Sequence, residues 1–345
     1  MRKRDSSNLA KKVIVYGLLL IAAIGTLLYI YFSNEKPVYY QRTEYLLGTY
    51  VTINIASEEH SSVELASKAF QEIARIDSKF GKNRENMKTI NVSQEDWVSV
   101  DEETFAIIKA CIEISKNTDG AFDPTVYTLV ELWGFTSGAS TPSVPTDTDI
   151  EETMQRVNYR NIVINKENGK IKLLNDSKID LSGIAKGYAV DRAIKIIKDL
   201  DLDATGYIDA GGDIGIIGPK YGERPWIIGI RHPRSDKADD AIEYLKMYEG
   251  AVATSGDYER YFIENGIRYH HLINPKTGRP ARNGTISATV INMSAMLADA
   301  YATAAFIMGK SPGITFLPRY GSLVLLVQED HSIYKSPGIE GYIGK

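Results

Sequence analysis

Apolar and polar positions follow three rhythms along this chain. An unbroken, uncharged apolar run covers residues 13–32, about 20 residues, the length a helix needs to cross a bilayer. A two-residue rhythm, Thr49, Val51, Ile53 and Ile55 within residues 45–56, marks a half-buried strand. A helical rhythm follows in Val63, Leu65, Ala66, Phe70, Ile73 and Ile76. It returns in Phe105, Ile107, Ile108, Cys111 and Ile112, predicting a helix over residues 103–115 that stops near Asp119-Gly120.

Further along, residues 136–149 are rich in Ser, Thr, Pro and Asp and predict a surface loop. Short strands at 162–164 and 171–174 lead to Ser182, the expected N-cap of a helix with Ile184, Tyr188, Ala189, Ile194 and Ile197 on one face. Strands are predicted at 206–209, 214–217, 226–230 and 244–248, and a hairpin turn at Asn265-Gly266. A helix over 294–308 ends at Gly309, and 323–327 closes as a strand. Strands that do not alternate regularly with helices predict an α+β fold with a largely antiparallel sheet.

The N-terminus sets the expected compartment. Arg2, Lys3, Arg4, Lys11 and Lys12 precede the apolar run, and such charges stay in the cytoplasm. Tyr31-Phe32-Ser33-Asn34 makes a poor cleavage site, which favours an uncleaved anchor over a removed signal peptide. The domain plan is therefore a cytoplasmic basic tail (1–12), one transmembrane helix (13–32), a tether (33–42) and an extracytoplasmic domain (43–345).

Composition narrows the function. With 40 Lys+Arg against 44 Asp+Glu, the chain lacks the basic surplus that a nucleic-acid binder needs. A single cysteine, Cys111, excludes an intrachain disulfide or a multi-cysteine zinc site, and its place in an apolar helix face makes it a core thiol.

Several segments carry candidate chemistry. Asp119-Gly-Ala-Phe-Asp-Pro-Thr125 is either a plain helix stop and turn or part of a site. Asp180-Leu-Ser-Gly-Ile-Ala-Lys-Gly187 joins a strand end to a helix N-terminus, whose N–H groups and Lys186 suit an anion. The plain alternative is a capped strand-to-helix turn. Ala253-Thr-Ser-Gly-Asp-Tyr-Glu-Arg260 and Tyr269-His-His-Leu-Ile-Asn-Pro-Lys-Thr-Gly278 bring His, Asp and hydroxyl groups to one hairpin. Adjacent His270 and His271 face opposite ways in a strand, so at most one enters a site. Asp299 and Thr303 lie one helical turn apart on an Ala-rich helix and are hard oxygen donors suited to magnesium. The competing reading has Thr303 bonding back to its own helix and Asp299 in solvent.

Taken in order, Leu47-Gly-Thr49, Thr118-Asp-Gly-Ala-Phe-Asp-Pro-Thr125, Asp180 to Asp191, Gly211-Gly-Asp213, Ala253-Thr-Ser-Gly-Asp-Tyr258 and Met296-Leu-Ala-Asp-Ala300 resemble the ApbE family of FAD:protein FMN transferases. The resemblance implies a T-fold-like α+β fold, FAD as substrate and Mg²⁺ as cofactor. It assigns the metal to Asp299, Thr303 and the Gly183 carbonyl. FAD contacts are implied at Leu47, Phe80, Ala121, Phe122, Asp123, Asp180, Lys186 and Ile273. His271 and Asp257 are the candidate bases. The implied reaction cleaves the FAD pyrophosphate, esterifies FMN to a threonine of an exported or membrane electron-transfer flavoprotein, and releases AMP. An FAD pyrophosphatase and a non-enzymatic flavin carrier are the alternatives. Two features depart from the family pattern: Asn274 stands where Asp is common, and no lipid-bearing cysteine follows the apolar run.

Overall fold

The computed structural model describes residues 15–26, 37–80, 85–93, 95–136, 141–237 and 240–344. It divides into two units, Met1–Val38 and Tyr39–Lys345. In the first, residues 15–26 are helical; the basic tail and the ends of the apolar run lie outside the described residues. No described helix is long and apolar enough to cross a membrane.

The second unit is built on one eight-stranded sheet whose spatial order follows chain order. Its strands are β1 (Tyr40–Leu46), β2 (Thr49–Ala56), β3 (Thr205–Ala210), β4 (Asp213–Gly218), β5 (Ala251–Gly256), β6 (Thr285–Asn292), β7 (Leu323–Gln328) and β8 (Ile333–Lys335). Every neighbouring pair is antiparallel. The fold is α+β, as the pattern predicts. Strand β1 begins inside the stretch read as tether, and residues 45–56 are not one strand. Leu47 and Gly48 stand at φ 56° and 74° and turn the chain between β1 and β2. Two consecutive positive φ values match a type I′ hairpin turn, and only Gly48 signals it in the sequence.

Four helices supply the main core: α1 (Ser62–Phe80), α2 (Glu102–Asn117), α3 (Ser182–Leu200) and α4 (Ala295–Met308). Val51, Ile53 and Ile55 of β2 pack in one cluster with Ile73, Ile108, Cys111, Ile184, Val190 and Ala298. Cys111 is fully buried, and burial pushes its thiol well above the usual range. A hairpin of Trp226–Arg231 and Ala241–Met247 forms a second cluster with Val252, Ile291, Leu325 and Val327 of the sheet. Strand β6 contributes to both clusters, and all eight of its residues are buried. A smaller cluster gathers Leu129, Trp133, Phe135, Ile150 and Ile273. The indole N–H of Trp133 donates to the Gly278 carbonyl at 2.9 Å and ties this cluster to the turn beyond Asn274.

Two local expectations change. A helix, Asp147–Met154, starts inside the stretch read as loop, because the Thr146 hydroxyl accepts from the Asp149 N–H at 3.2 Å and caps it. Ser182 is not the N-cap of α3 but its first residue. Asp180 holds that entry instead, accepting from the Ser182 N–H at 3.0 Å and hydroxyl at 2.6 Å. A carboxylate is the stronger acceptor at an exposed helix N-terminus.

Candidate active site

The site grows from the crossing of α3 and α4. Position 187 is glycine for a steric reason: an added Cβ would stand 2.2 Å from the Ala295 carbonyl oxygen. Small residues at that crossing let the helices touch, and Lys186 is thereby brought to Asp299. Its Nζ lies 3.3 Å from both Asp299 oxygens and in a tighter ion pair with Asp213 at the start of β4. The Gly187 N–H also reaches Asp299, at 3.2 Å. Asp191, one turn further along α3, accepts from the Ser294 hydroxyl at 2.6 Å and from the N–H groups of Ala295 and Met296 at 2.7 and 3.1 Å. One carboxylate on α3 thus caps the helix that carries Asp299.

Charge is concentrated here. Asp299 is buried, which removes the reading of a solvated side chain. Burial, then the charge of Asp299, pushes the Asp213 carboxyl up against the opposing pull of Lys186. Burial alone would favour a neutral Lys186, yet Asp213 and Asp299 outweigh it and hold the ammonium above its ordinary pKa. Thr303 turns to β5, with its hydroxyl 3.2 Å from that of Ser255.

Around this centre the structure gathers most of the expected residues. Phe122 packs on the first turn of α3, its ring 3.4 Å from where a Gly183 Cβ would be. Ala121 and Phe122 are buried beside it. Asp123 fixes its own loop: it accepts from Thr125 N–H and hydroxyl at 2.8 and 2.5 Å and from Tyr159 N–H at 2.8 Å. Burial raises its carboxyl despite those donors. The Pro124 carbonyl accepts from Asp180 N–H at 3.0 Å, joining the two quoted motifs. Leu47 sits on the β1–β2 turn, and the adjoining Thr49 hydroxyl would lie 2.3 Å from a Cβ on Gly211, so the Gly211-Gly212 turn lies against it.

His271 directly follows the short strand Ile267–His270. Its Nδ1 is 3.2 Å from the Arg260 carbonyl. Desolvation by packed neighbours, followed by the Arg260 charge, holds its imidazole well below the ordinary value, and the charge of Lys186 contributes. His270 is buried elsewhere, with Nε2 3.1 Å from the Ala281 carbonyl, so the two rings part as strand geometry requires. Three expected residues are engaged by other partners. Phe80 is 2% exposed and packs edge-on against Tyr188. Ile273 is buried in the Trp133 cluster. Asp257 is held by Arg234 through two 2.7 Å bonds.

The donor set can be tested against a magnesium ion. Thr303 presents its hydroxyl beside that of Ser255, one helical turn from Asp299, and two carboxylates, Asp213 and Asp299, flank the single ammonium of Lys186. Among the described residues no three His, Cys, Asp or Glu side chains form a metal cage. Few protein carboxylates with room for water and phosphate is the pattern magnesium takes, whereas zinc prefers nitrogen and sulfur. The residues fit. Asp213, Ser255 and Asp191 carry no individual role in the sequence reading, although all three stand in the strings quoted above; nothing in the sequence shows that Asp191 caps a helix 100 residues away.

Comparison with known proteins agrees with this geometry. The ApbE family model matches residues 47–326. An FAD:protein FMN transferase of Vibrio cholerae is 33% identical over 237 residues, covering 69% of this chain and 70% of that protein. The one of Treponema pallidum is 27% identical over 323 residues, 87% of each. Among solved structures, the ApbE protein of Thermotoga maritima superposes with a TM-score of 0.85 at 43% identity, covering 89% of this chain and all of that one (100%). The flavin transferase ApbE from Vibrio cholerae gives 0.79 at 26%, over 89% and 99%. Sheet order, the α3–α4 crossing and these matches lead to one assignment: the chain belongs to the ApbE family.

Proposed function

We propose that this chain is an FAD:protein FMN transferase that esterifies FMN to a threonine of an acceptor flavoprotein and releases AMP. The observation that carries the reading is the convergence of Lys186, Asp213, Asp299 and Thr303 beside the N-terminal part of α3. The positive end of a helix dipole, with a lysine one turn in, suits the pyrophosphate that joins the FMN and AMP halves.

Magnesium held by Asp299, Thr303 and the Gly183 carbonyl would supply Lewis-acid stabilisation of the charge that develops on the pyrophosphate. Lys186 adds a fixed positive charge at the same oxygens. Phe122, buried against Gly183, excludes water from one wall. The acceptor hydroxyl attacks the FMN-side phosphorus, a new P–O bond forms, the pyrophosphate bond breaks, and AMP leaves with the electron pair. The hydroxyl proton goes to His271. A carbonyl only accepts, so the 3.2 Å contact from Arg260 places the ring proton on Nδ1 and leaves the Nε2 lone pair for the hydroxyl. The low pKa keeps that nitrogen unprotonated at neutral pH. Asp257 is the weaker candidate, since Arg234 occupies both of its oxygens.

The N-terminal apolar run would anchor the enzyme, with the basic residues before it in the cytoplasm and the catalytic unit on the extracytoplasmic side with exported acceptors. Incubating the full-length chain in detergent with FAD, Mg²⁺ and an exported threonine-bearing flavoprotein tests the reaction. The expected result is an FMN-sized mass increment on the acceptor with matching AMP. AMP without the increment would make the chain a hydrolase, and unchanged FAD a carrier.

A further inference from the structure

Lys186 is shared between two buried acids, and the share is unequal. Its Nζ makes a tight ion pair with one Asp213 oxygen and lies 3.3 Å from each Asp299 oxygen. The two carboxylates differ in what else they hold. Asp299 also accepts from the Gly187 N–H at 3.2 Å. Among the described residues, Lys186 is the one hydrogen-bonding partner of the Asp213 side chain. Asp213 and Asp299 are 3% and 5% exposed, while the lysine side chain stays partly open.

Backbone sets Asp213 in place. Gly211 and Gly212 stand at φ 67° and 98° and turn the chain from β3 into β4, and the Gly212 N–H donates to Asp209 at 2.8 Å. Asp213 opens β4, paired with Ala210 across that turn. A short side chain on a central strand has little freedom, whereas lysine carries its charge on a flexible four-carbon stem. The acid therefore fixes the ammonium, and not the reverse.

The pairing bears on how Asp299 takes a cation. Were Asp299 the only acid on Lys186, the ammonium would be its counter-ion and a divalent ion would have to expel it. A buried charge left without a partner is costly, so an expelled ammonium would resist. Asp213 removes that conflict. The ammonium keeps a buried partner when Asp299 turns its oxygens to an ion, and it stays one turn into α3, on the side of the pyrophosphate. Resting on the metal-assisted reading above, we propose that Asp213 is a positioning residue: it retains Lys186, which leaves Asp299 to the divalent ion and the ammonium to the substrate phosphates. Asp213 itself touches neither.

The test is a double-mutant cycle on the full-length chain in detergent, read as Mn²⁺ affinity by electron paramagnetic resonance with FAD present. Asp213→Asn is expected to weaken Mn²⁺ binding about tenfold or more, because the ammonium then falls wholly to Asp299. In a Lys186→Met background, which lacks the competing ammonium, the same change is expected to cost at least threefold less. An equal factor in both backgrounds would mean that Asp213 acts by its own charge or binds the ion directly, and would overturn the proposal. Unchanged affinity in Asp213→Asn alone would overturn it as well. A second measurement needs no variant: acylation of Lys186 in the wild-type chain, followed by mass spectrometry as Mg²⁺ is added without FAD. The expected rate changes less than twofold, since the ammonium stays with Asp213; a tenfold rise would show that the ion expels it. A wild-type chain with no FAD-dependent Mn²⁺ site would overturn the metal reading itself, and the role of Asp213 with it.

Discussion

Gly187 and the Ala295 carbonyl meet where α3 crosses α4, so closely that one methyl group would close the gap to 2.2 Å. That contact sets the distance between Lys186 and Asp299 and lets the Gly187 N–H reach the Asp299 carboxylate. The clash is with backbone, which cannot swing aside. Gly187→Ala should therefore cost about 1–3 kcal/mol through overpacking. A calorimetric melt would show it as a fall of several degrees in Tm, together with weaker binding of FAD. A wild-type melt would mean the helices are not in contact there.

Asp191 anchors the other end of the same crossing. Asp191→Asn keeps the shape but removes the charge that draws the Ser294 hydroxyl and two helix N–H groups, and turns one acceptor into a donor facing them. The loss should be about 1.5–3 kcal/mol, the range for hydrogen bonds to a charged group. Urea unfolding measures it, with the midpoint lowered and the slope unchanged.

The imidazole of His271 gives a signed pH dependence. Its folded pKa lies well below 6.5 while the unfolded chain takes up its proton near 6.5. The unfolded state thus binds more protons as pH falls from about 6.5, and folding stability declines in that window. Activity follows a different limb: kcat/KM should stay level through pH 6.5 and fall only below it, as Nε2 becomes protonated. His271→Asn should remove that limb and slow transfer by about 10²–10⁴-fold, the usual contribution of a positioned base. A limb centred on 6.5 would exclude a desolvated His271 as the base.

Glu103 works in the acid range. It accepts from Arg75 at 2.6 Å, from Lys79 at 2.6 Å and from Tyr188 at 2.8 Å, and the Arg75 bond leads in lowering its carboxyl from 4.5 to about 2. Stability from this cluster is complete above about pH 4.5 and is lost as pH falls toward 2. Because the group is partly solvated, the effect is modest. Glu103→Gln should give a flatter acid limb in thermal melts between those values; an unchanged limb would rule the cluster out.

Residue patterns made much of this legible. Alternation at Val51, Ile53 and Ile55 located β2, and Asp299 in a helix of Ala and Leu stood out because an apolar helix is buried all round, so its one carboxylate must be buried too. Asn265-Gly266 turned its hairpin as expected. What stayed hidden depends on long-range geometry. The Leu47-Gly48 turn needs a positive φ at a leucine, which local propensity disfavours. Asp191 looks like a surface charge on α3 until α4 is laid across it. The pairing of Asp257 with Arg234 could not be read either, since the arginine lies in a separate hairpin connection with no patterned spacing to the acid.

We propose that Asp299 and Thr303 seat a divalent ion against bound FAD. Electron paramagnetic resonance of Mn²⁺, used in place of Mg²⁺ and titrated into the full-length chain with FAD present, tests it without relying on turnover. The expected result is a site that binds the ion more tightly with FAD than without, weakened at least tenfold in Asp299→Asn and less in Thr303→Ala. Equal Mn²⁺ affinity in wild type and Asp299→Asn, with FAD still bound, would contradict it.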